Sequence, residues 1–261
     1  MQNLPVVILC GGLGTRLKEE TEWRPKPMVN VGNRPILWHI MKIYASQGFK
    51  NFILCLGYKG EMIRDYFLNY ELNNSDVRLE LGSKKVTKLS DTHDENDWSV
   101  TLVDTGQETM TGGRLKIASK YIDSDDFCMT YGDGVANIDI NSLLNFHQQK
   151  GKIATVTAVR PSSRYGELVV TDGIAEAFTE KPQTHEGWIN GGFFILNRKA
   201  LDFVTSNEVI WEQEPMQNLA KLGELATYKH EGFWQSMDTY RELELLNNFW
   251  RTGKAPWKVW K

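Results

Sequence analysis

Residues 11–28 hold the densest concentration of chemically useful groups in the chain. Gly11-Gly12-Leu13-Gly14-Thr15-Arg16-Leu17 is followed, after a short spacer, by Pro25-Lys26-Pro27-Met28. Three glycines in four positions let the backbone turn sharply and bring its N–H groups close to a ligand. Thr15 adds a hydroxyl, and Arg16 adds a rigid fork of donors that matches phosphate. Lys26, fixed between two prolines, offers a compact positive charge. These residues suit a loop that holds phosphates. The two commonest phosphate loops do not describe it. No Gly-x-x-x-x-Gly-Lys-Ser/Thr run is present here, and the third glycine position of a dinucleotide fingerprint holds Leu17. Pro25 and Pro27 would also interrupt the helix such a fingerprint opens.

Other residues could complete the site. Phe127-Cys128-Met129-Thr130-Tyr131 is an apolar run that leads into Gly132-Asp133-Gly134. A carboxylate at the carboxyl end of a central strand lies where open α/β sheets bind ligands. A second Gly/Thr-rich turn, from Thr105 to Gly113, ends in Arg114 and is a candidate second wall. Asp238 precedes a final helix, either as a cap or as a partner for Asp133. Two carboxylates and phosphate oxygens are the usual ligands of Mg²⁺, and Asp133 and Asp238 are the candidates. His93 lies in the acidic run 91–97, which reads as a solvated loop tip, so a metal role for it is not expected.

The elements that must position these groups alternate through the first half. Val6-Val7-Ile8-Leu9-Cys10 is continuously apolar and β-branched, as a buried strand is. A helical period over Ile36, Leu37, Ile40, Met41 and Tyr44 follows Pro35, and Gly48 is its stop. Strands are expected at 51–56, 100–104, 127–131, 153–159, 168–171 and 193–197, with a helix over 61–70. This alternation predicts a mostly parallel sheet with helices on both faces. Tryptophans and prolines gather late in the chain, including Trp211, Trp234, Trp250, Trp257 and Trp260, as packing or as an interface.

The chain has 261 residues, 41% of them hydrophobic and 24% charged, with a formal net charge of -3. The length allows one large domain with a substantial core. The absence of a basic excess argues against nucleic acid as partner. Cys10, Cys55 and Cys128 lie scattered in apolar runs, which fits reduced, packed thiols better than a disulfide framework or a zinc site. No apolar run approaches a membrane span, and the first residues do not follow a signal-peptide pattern, so a cytoplasmic protein is expected.

The glycine loop with its arginine, followed at this spacing by Pro-Lys-Pro-Met, resembles the signature of the sugar nucleotidyltransferase family at each position. The likeness extends along the whole chain and is strongest to the cytidylyl-transferring branch. It is carried by residues 35–42, 103–106, 110–114, 130–135, 189–194, 211–215 and 253–258. The resemblance implies a Rossmann-like α/β fold of the nucleotidyltransferase or glycosyltransferase-A kind. A mostly parallel central sheet is flanked by helices, with a smaller β-rich insertion at about 73–112 and a C-terminal helical segment. A nucleotide-binding half of about 1–135 and a sugar-binding half of about 136–261 would form a single domain. The implied reaction is transfer of a cytidylyl group from CTP to α-D-glucose 1-phosphate, with Mg²⁺. UTP or dTTP as donor, another sugar 1-phosphate as acceptor, and a catalytically silent sugar-nucleotide binder stay open. The resemblance implies Arg16, Lys26 and Asp133 as catalytic and Asp133 and Asp238 as metal ligands. Around the nucleotide it implies Leu9, Cys10, Gly11, Gly12, Leu13, Gly14, Thr15, Arg16, Lys26, Thr109, Arg114 and Gly132. Thr109 and Arg114 could reach it from a neighbouring subunit. Glu180, Lys181 and Asn190 would face the sugar phosphate. A homohexamer and a place in dideoxysugar synthesis for bacterial surface polysaccharide are also implied. Residues 83–98 and 160–167 depart from the family pattern.

Overall fold

Every residue of Val6–Leu9 is apolar, and all four are buried at the middle of an eight-stranded sheet. The computed structural model describes residues 4–90, 93–161 and 187–260, together with the backbone of 167–171 and 174–179. Val6–Leu9 pairs in parallel with Asn51–Leu56 on one side and Asp126–Tyr131 on the other. Ser99–Asp104 adds a fourth parallel strand beyond Asn51–Leu56. Phe194–Asn197 then runs antiparallel between Asp126–Tyr131 and Ala154–Val159. Leu225–His230 closes that edge in parallel with Ala154–Val159. The mostly parallel sheet expected from the alternation of elements is what the chain forms.

The direction of the strands decides where a site can sit. The carboxyl ends of Val6–Leu9, Asn51–Leu56 and Asp126–Tyr131 open on one edge, where Gly11, Gly57 and Gly132 follow them. Phe194–Asn197 is reversed, so the residues that precede it, Asn190-Gly191-Gly192, arrive at that same edge.

Side chains of one strand feed two cores by the period of two. Val6 and Ile8 join Ile36, Ile40 and Tyr44 of the helix Ile36–Ala45 on one face. Val7 and Leu9 join Leu115 and Ala118 of the helix Thr111–Ala118, with Trp211 and Leu219, on the other. The final helix, Tyr240–Arg251, opens with a capping box in which Thr239 and Glu242 satisfy each other's backbone N–H groups.

The segment expected as a smaller β-rich insertion contains the antiparallel hairpin Val77–Glu80 with Lys85–Lys88, exposed at all eight positions. One expectation needs correction: the acidic run read as a solvated loop tip turns inward, so that His93 and Glu95 are buried. Glu95 accepts from Lys42 at 2.7 Å and from the Tyr70 hydroxyl at 3.1 Å, and those donors offset its desolvation. Of the roles read for the late tryptophans, packing is the one these side chains take within the chain. Trp211 and Trp257 are fully buried, and Trp250 and Trp260 pack against the core.

Trp38, Trp250 and Trp257 surround His39 in edge-on contacts at 5.2, 4.6 and 6.0 Å. His39 Nε2 lies 2.9 Å from the Val31 carbonyl, so it carries the hydrogen. Nδ1 is then the acceptor for the Trp257 indole N–H at 3.4 Å. Burial pushes the imidazole down to a pKa of about 4. A histidine held neutral contributes stability that is fully present above about pH 6.5 and is lost as the pH falls towards 4. We expect a loss of about 3 kcal/mol across that window from this group. Urea midpoints followed by tryptophan fluorescence at neutral and mildly acidic pH measure it, and His39→Gln should flatten the slope.

Candidate active site

A cleft of about 500 Å³ opens at the carboxyl edge of the parallel strands. Its lining includes the whole run from Leu9 to Arg16, together with Lys26, Thr109, Arg114, Gly132, Asp133 and Asp238. The structure thus gathers in one place the nucleotide, catalytic and metal candidates read from four separate stretches. Gly14 adopts φ of 65°, a left-handed conformation open to glycine at little cost. Gly132 is required by contact instead, since a Cβ there would lie 2.8 Å from the Pro27 ring and 3.0 Å from the Leu9 carbonyl.

Lys26 is the centre of the cleft's electrostatics. It starts a short 3₁₀ turn, Lys26–Met28, whose prolines set its backbone, and its side chain is only 10% exposed. Its Nζ donates to Asp133 Oδ2 at 2.7 Å and to Asp238 Oδ1 at 2.6 Å. Burial alone pushes the ammonium down, but the two carboxylates outweigh it and hold the pKa above the ordinary lysine value. Burial raises the Asp238 carboxyl, yet Lys26 and then Arg16 hold it below the usual carboxylate range. Arg16 approaches Asp238 at 3.5 Å while its side chain stays 74% exposed, free to turn to an arriving anion.

The two carboxylate oxygens therefore converge on a single point that an ammonium fills. Hard oxygen donors aimed at one cation fit a divalent metal. Among the described residues no group of three or more His, Cys, Asp or Glu is gathered that could hold a metal. Two carboxylates suit an ion that completes its shell with phosphate oxygens and water.

Arg114 lines the cleft, and its guanidinium is held by oxygens of its own chain. Nη1 donates to the Leu56 and Gly106 carbonyls and to Thr105 Oγ1, and Nη2 to the carbonyls of Gly11 and Gln107. The side chain is buried and ties the phosphate loop to the 105–107 turn. Burial also pushes its pKa down. A desolvated cation beneath the phosphate loop favours anions in the cleft through its field rather than by touch.

Comparison with known proteins follows the same lines. The family profile described as Nucleotidyl transferase matches residues 5–239. The chain belongs to the nucleotidyl transferase family. A glucose-1-phosphate cytidylyltransferase of Salmonella typhimurium is 49% identical over 261 residues, 99% of this chain and 100% of that one. A probable glucose-1-phosphate cytidylyltransferase of Bacillus subtilis is 46% identical over 98% of this chain and all of its own length. The solved structure of HddC from Yersinia pseudotuberculosis, 24% identical, superposes with a TM-score of 0.70 over 95% of this chain and 99% of its own. That likeness bears on the fold.

For a nucleotidyl transferase, the second substrate has to meet the first across the cleft. Asn190 stands at the same edge but outside the cleft lining, joined to it through Tyr131, to which its Nδ2 donates at 3.1 Å. Glu180 and Lys181 fall outside the described residues. Tyr131 and Thr111 are among the cleft residues missed from sequence, and with them Glu212, which bonds to both. The only signal for Glu212 was its place in Trp211-Glu212-Gln213-Glu214-Pro215, a carboxylate just before a proline-started helix. Nothing in that spacing says which strand end it meets. The backbone marks the Asn190 turn as special: Phe193 is fully buried with φ of 50°, a strained conformation for a non-glycine residue.

Proposed function

We propose that the protein transfers a cytidylyl group from CTP to α-D-glucose 1-phosphate, releasing pyrophosphate and forming CDP-glucose. The observation that carries this choice of substrates is the 46–49% identity, end to end, to glucose-1-phosphate cytidylyltransferases. The site geometry supports the chemistry. An oxygen of the sugar phosphate attacks the α-phosphorus, the bond from that phosphorus to the bridging oxygen breaks, and pyrophosphate leaves with the electron pair. A phosphate monoester is largely ionised at neutral pH, so no strong general base is needed. The work is alignment and neutralisation of charge. Backbone N–H groups of 11–14 and Arg16 receive the triphosphate. Lys26 leaves its carboxylate partners to meet the α-phosphate and the attacking group. Asp133 and Asp238 hold Mg²⁺, which when bound neutralises phosphate charge as a Lewis acid. Asn190, with Glu180 and Lys181, receives the sugar phosphate.

This reading treats the chain as one unit, with a nucleotide-binding half of about 1–135 and a sugar-binding half of about 136–261. Cytoplasmic location fits three buried, unpaired cysteines. Self-association is supported by the exposed apolar side chains of the hairpin, among them Val77, Leu79 and Val86, and six copies is the number the family resemblance implies. Light scattering at monomer mass would remove the hexamer.

Pyrophosphate release with Mg²⁺, glucose 1-phosphate and each nucleoside triphosphate in turn tests the reaction. Release with CTP and a CDP-glucose product is expected. Release only with UTP or dTTP would overturn the donor and keep the mechanism.

A further inference from the structure

Glu212 and Tyr131 form a chain of hydrogen bonds whose direction is fixed at both ends. Glu212 Oε1 accepts from the Tyr131 hydroxyl at 2.6 Å, and Oε2 accepts from Thr111 Oγ1 at 2.7 Å. Thr111 Oγ1 in turn accepts the Trp211 backbone N–H at 2.9 Å. An ionised carboxylate can only accept, so the single phenolic proton of Tyr131 is spent on it. Tyr131 Oη is then an acceptor towards anything else, and Asn190 must present its NH₂ to it. The far side of Asn190 says the same. The Gly192 backbone N–H, which can only donate, meets Asn190 Oδ1 at 2.9 Å. Both ends thus force one orientation of the Asn190 amide.

We propose that Glu212 is a positioning residue which, through Tyr131, holds Asn190 with its amide nitrogen towards the cleft as a donor to a phosphate or hydroxyl oxygen of the sugar phosphate. This rests on the sugar-phosphate role proposed above for Asn190. The remaining Nδ2 hydrogen of Asn190 has no partner among the described residues. Without the carboxylate, the Tyr131 proton could turn to Asn190, leaving the Gly192 N–H as the remaining restraint on the amide, so that a reversed amide, with its oxygen towards an anionic substrate, gains population. Burial, and then the charge of Glu212, raise the Tyr131 pKa, so the phenol keeps its proton through neutral pH. The strained Phe193 fixes the same turn from below, its carbonyl held by Thr157 Oγ1 at 2.7 Å and its ring stacked on Tyr44 at 5.8 Å. The backbone therefore cannot easily shift to compensate for a reversed amide.

The test compares Asn190→Ala, Tyr131→Phe, Glu212→Leu and Glu212→Gln, with whichever triphosphate and sugar 1-phosphate the pyrophosphate assay identifies. Tyr131→Phe and Glu212→Leu should each raise the KM for the sugar phosphate about tenfold, the worth of one ordinary hydrogen bond, and leave the KM for the triphosphate within about twofold. Glu212→Gln, whose amide carbonyl can still accept the phenolic proton, should recover most of that loss. Tyr131→Phe combined with Asn190→Ala should be no worse than Asn190→Ala alone, because the two act as one unit. An equal rise in both KM values, or additive losses in the double variant, would overturn the proposal. So would an unchanged sugar-phosphate KM in Tyr131→Phe and Glu212→Leu while Asn190→Ala raises it. If Asn190→Ala itself leaves that KM unchanged, the assigned role of Asn190 fails first and the positioning role falls with it.

Discussion

Lys26→Ala should lower kcat about 10³-fold while the chain stays folded. Among the described residues, Lys26 is the side chain whose charge touches both carboxylates, at 2.6 and 2.7 Å, and it lines the cleft. Removing a donor that neutralises developing charge in a water-poor site costs about 3–4 kcal/mol in the transition state. The substitution has a second consequence in the free protein. Asp133 and Asp238, deprived of the ammonium between them, become facing like charges. One of them is then expected to titrate at a raised pKa. A divalent ion would meet two carboxylates with no cation to displace. Mn²⁺ binding to the nucleotide-free protein, followed by EPR, should therefore be tighter in Lys26→Ala than in the parent even as turnover collapses. Opposite signs on metal affinity and kcat separate loss of a catalytic charge from general damage, which would weaken both. Lys26→Arg should not rescue turnover, since a planar fork does not replace a compact point charge confined between prolines. Retained turnover in Lys26→Ala would remove the lysine from the chemistry.

The sequence made this centre legible because its parts are local. The phosphate loop needs glycines next to one another, and Lys26 needs prolines on either side, so both announce themselves within a few residues. Asp133 was legible because it follows an apolar strand, and ligands gather at strand ends. The partnership of Asp133 with Asp238 was only a possibility, since 105 residues separate them in number and just the fold brings both to Lys26. Arg114 shows the opposite case. An arginine after a Gly/Thr-rich turn looks the same in sequence whether its guanidinium faces a ligand or its own carbonyls. The choice depends on Leu56 and Gly11, which arrive from other strands. The inward turn of His93 and Glu95 was hidden for a like reason. A run of charges reads as solvated unless its partners are known, and Lys42 lies on a helix half a hundred residues earlier. The reversed strand Phe194–Asn197 could not be read from alternation, although it is what delivers Asn190 to the site.

The commitment of Arg114 to five oxygens predicts that Arg114→Leu damages the scaffold before it damages the chemistry. The leucine would leave the carbonyls of Gly11, Leu56, Gly106 and Gln107 without the donors that hold them. Orphaned buried acceptors cost about 1–3 kcal/mol each where water cannot replace the donor. Partial rehydration of the 105–107 turn would reduce the sum, so a total loss of about 3–5 kcal/mol is expected, comparable to breaking a buried ion pair. Urea unfolding measures it directly. Arg114→Lys should recover little, because an ammonium cannot span oxygens on three separate segments as a guanidinium does. Gly11→Ala attacks the same contact from the other side. Its Cβ would lie 2.1 Å from Arg114 Nη1 and 2.3 Å from Cζ, so the loop or the arginine must move. If Arg114 acts chiefly as a brace, Gly11→Ala and Arg114→Leu will each destabilise, and their combination will fall well short of the sum. Triphosphate affinity will fall in both through the displaced loop. If Arg114 instead served the nucleotide by direct contact, Arg114→Leu would weaken binding at nearly unchanged stability, and the two substitutions would add.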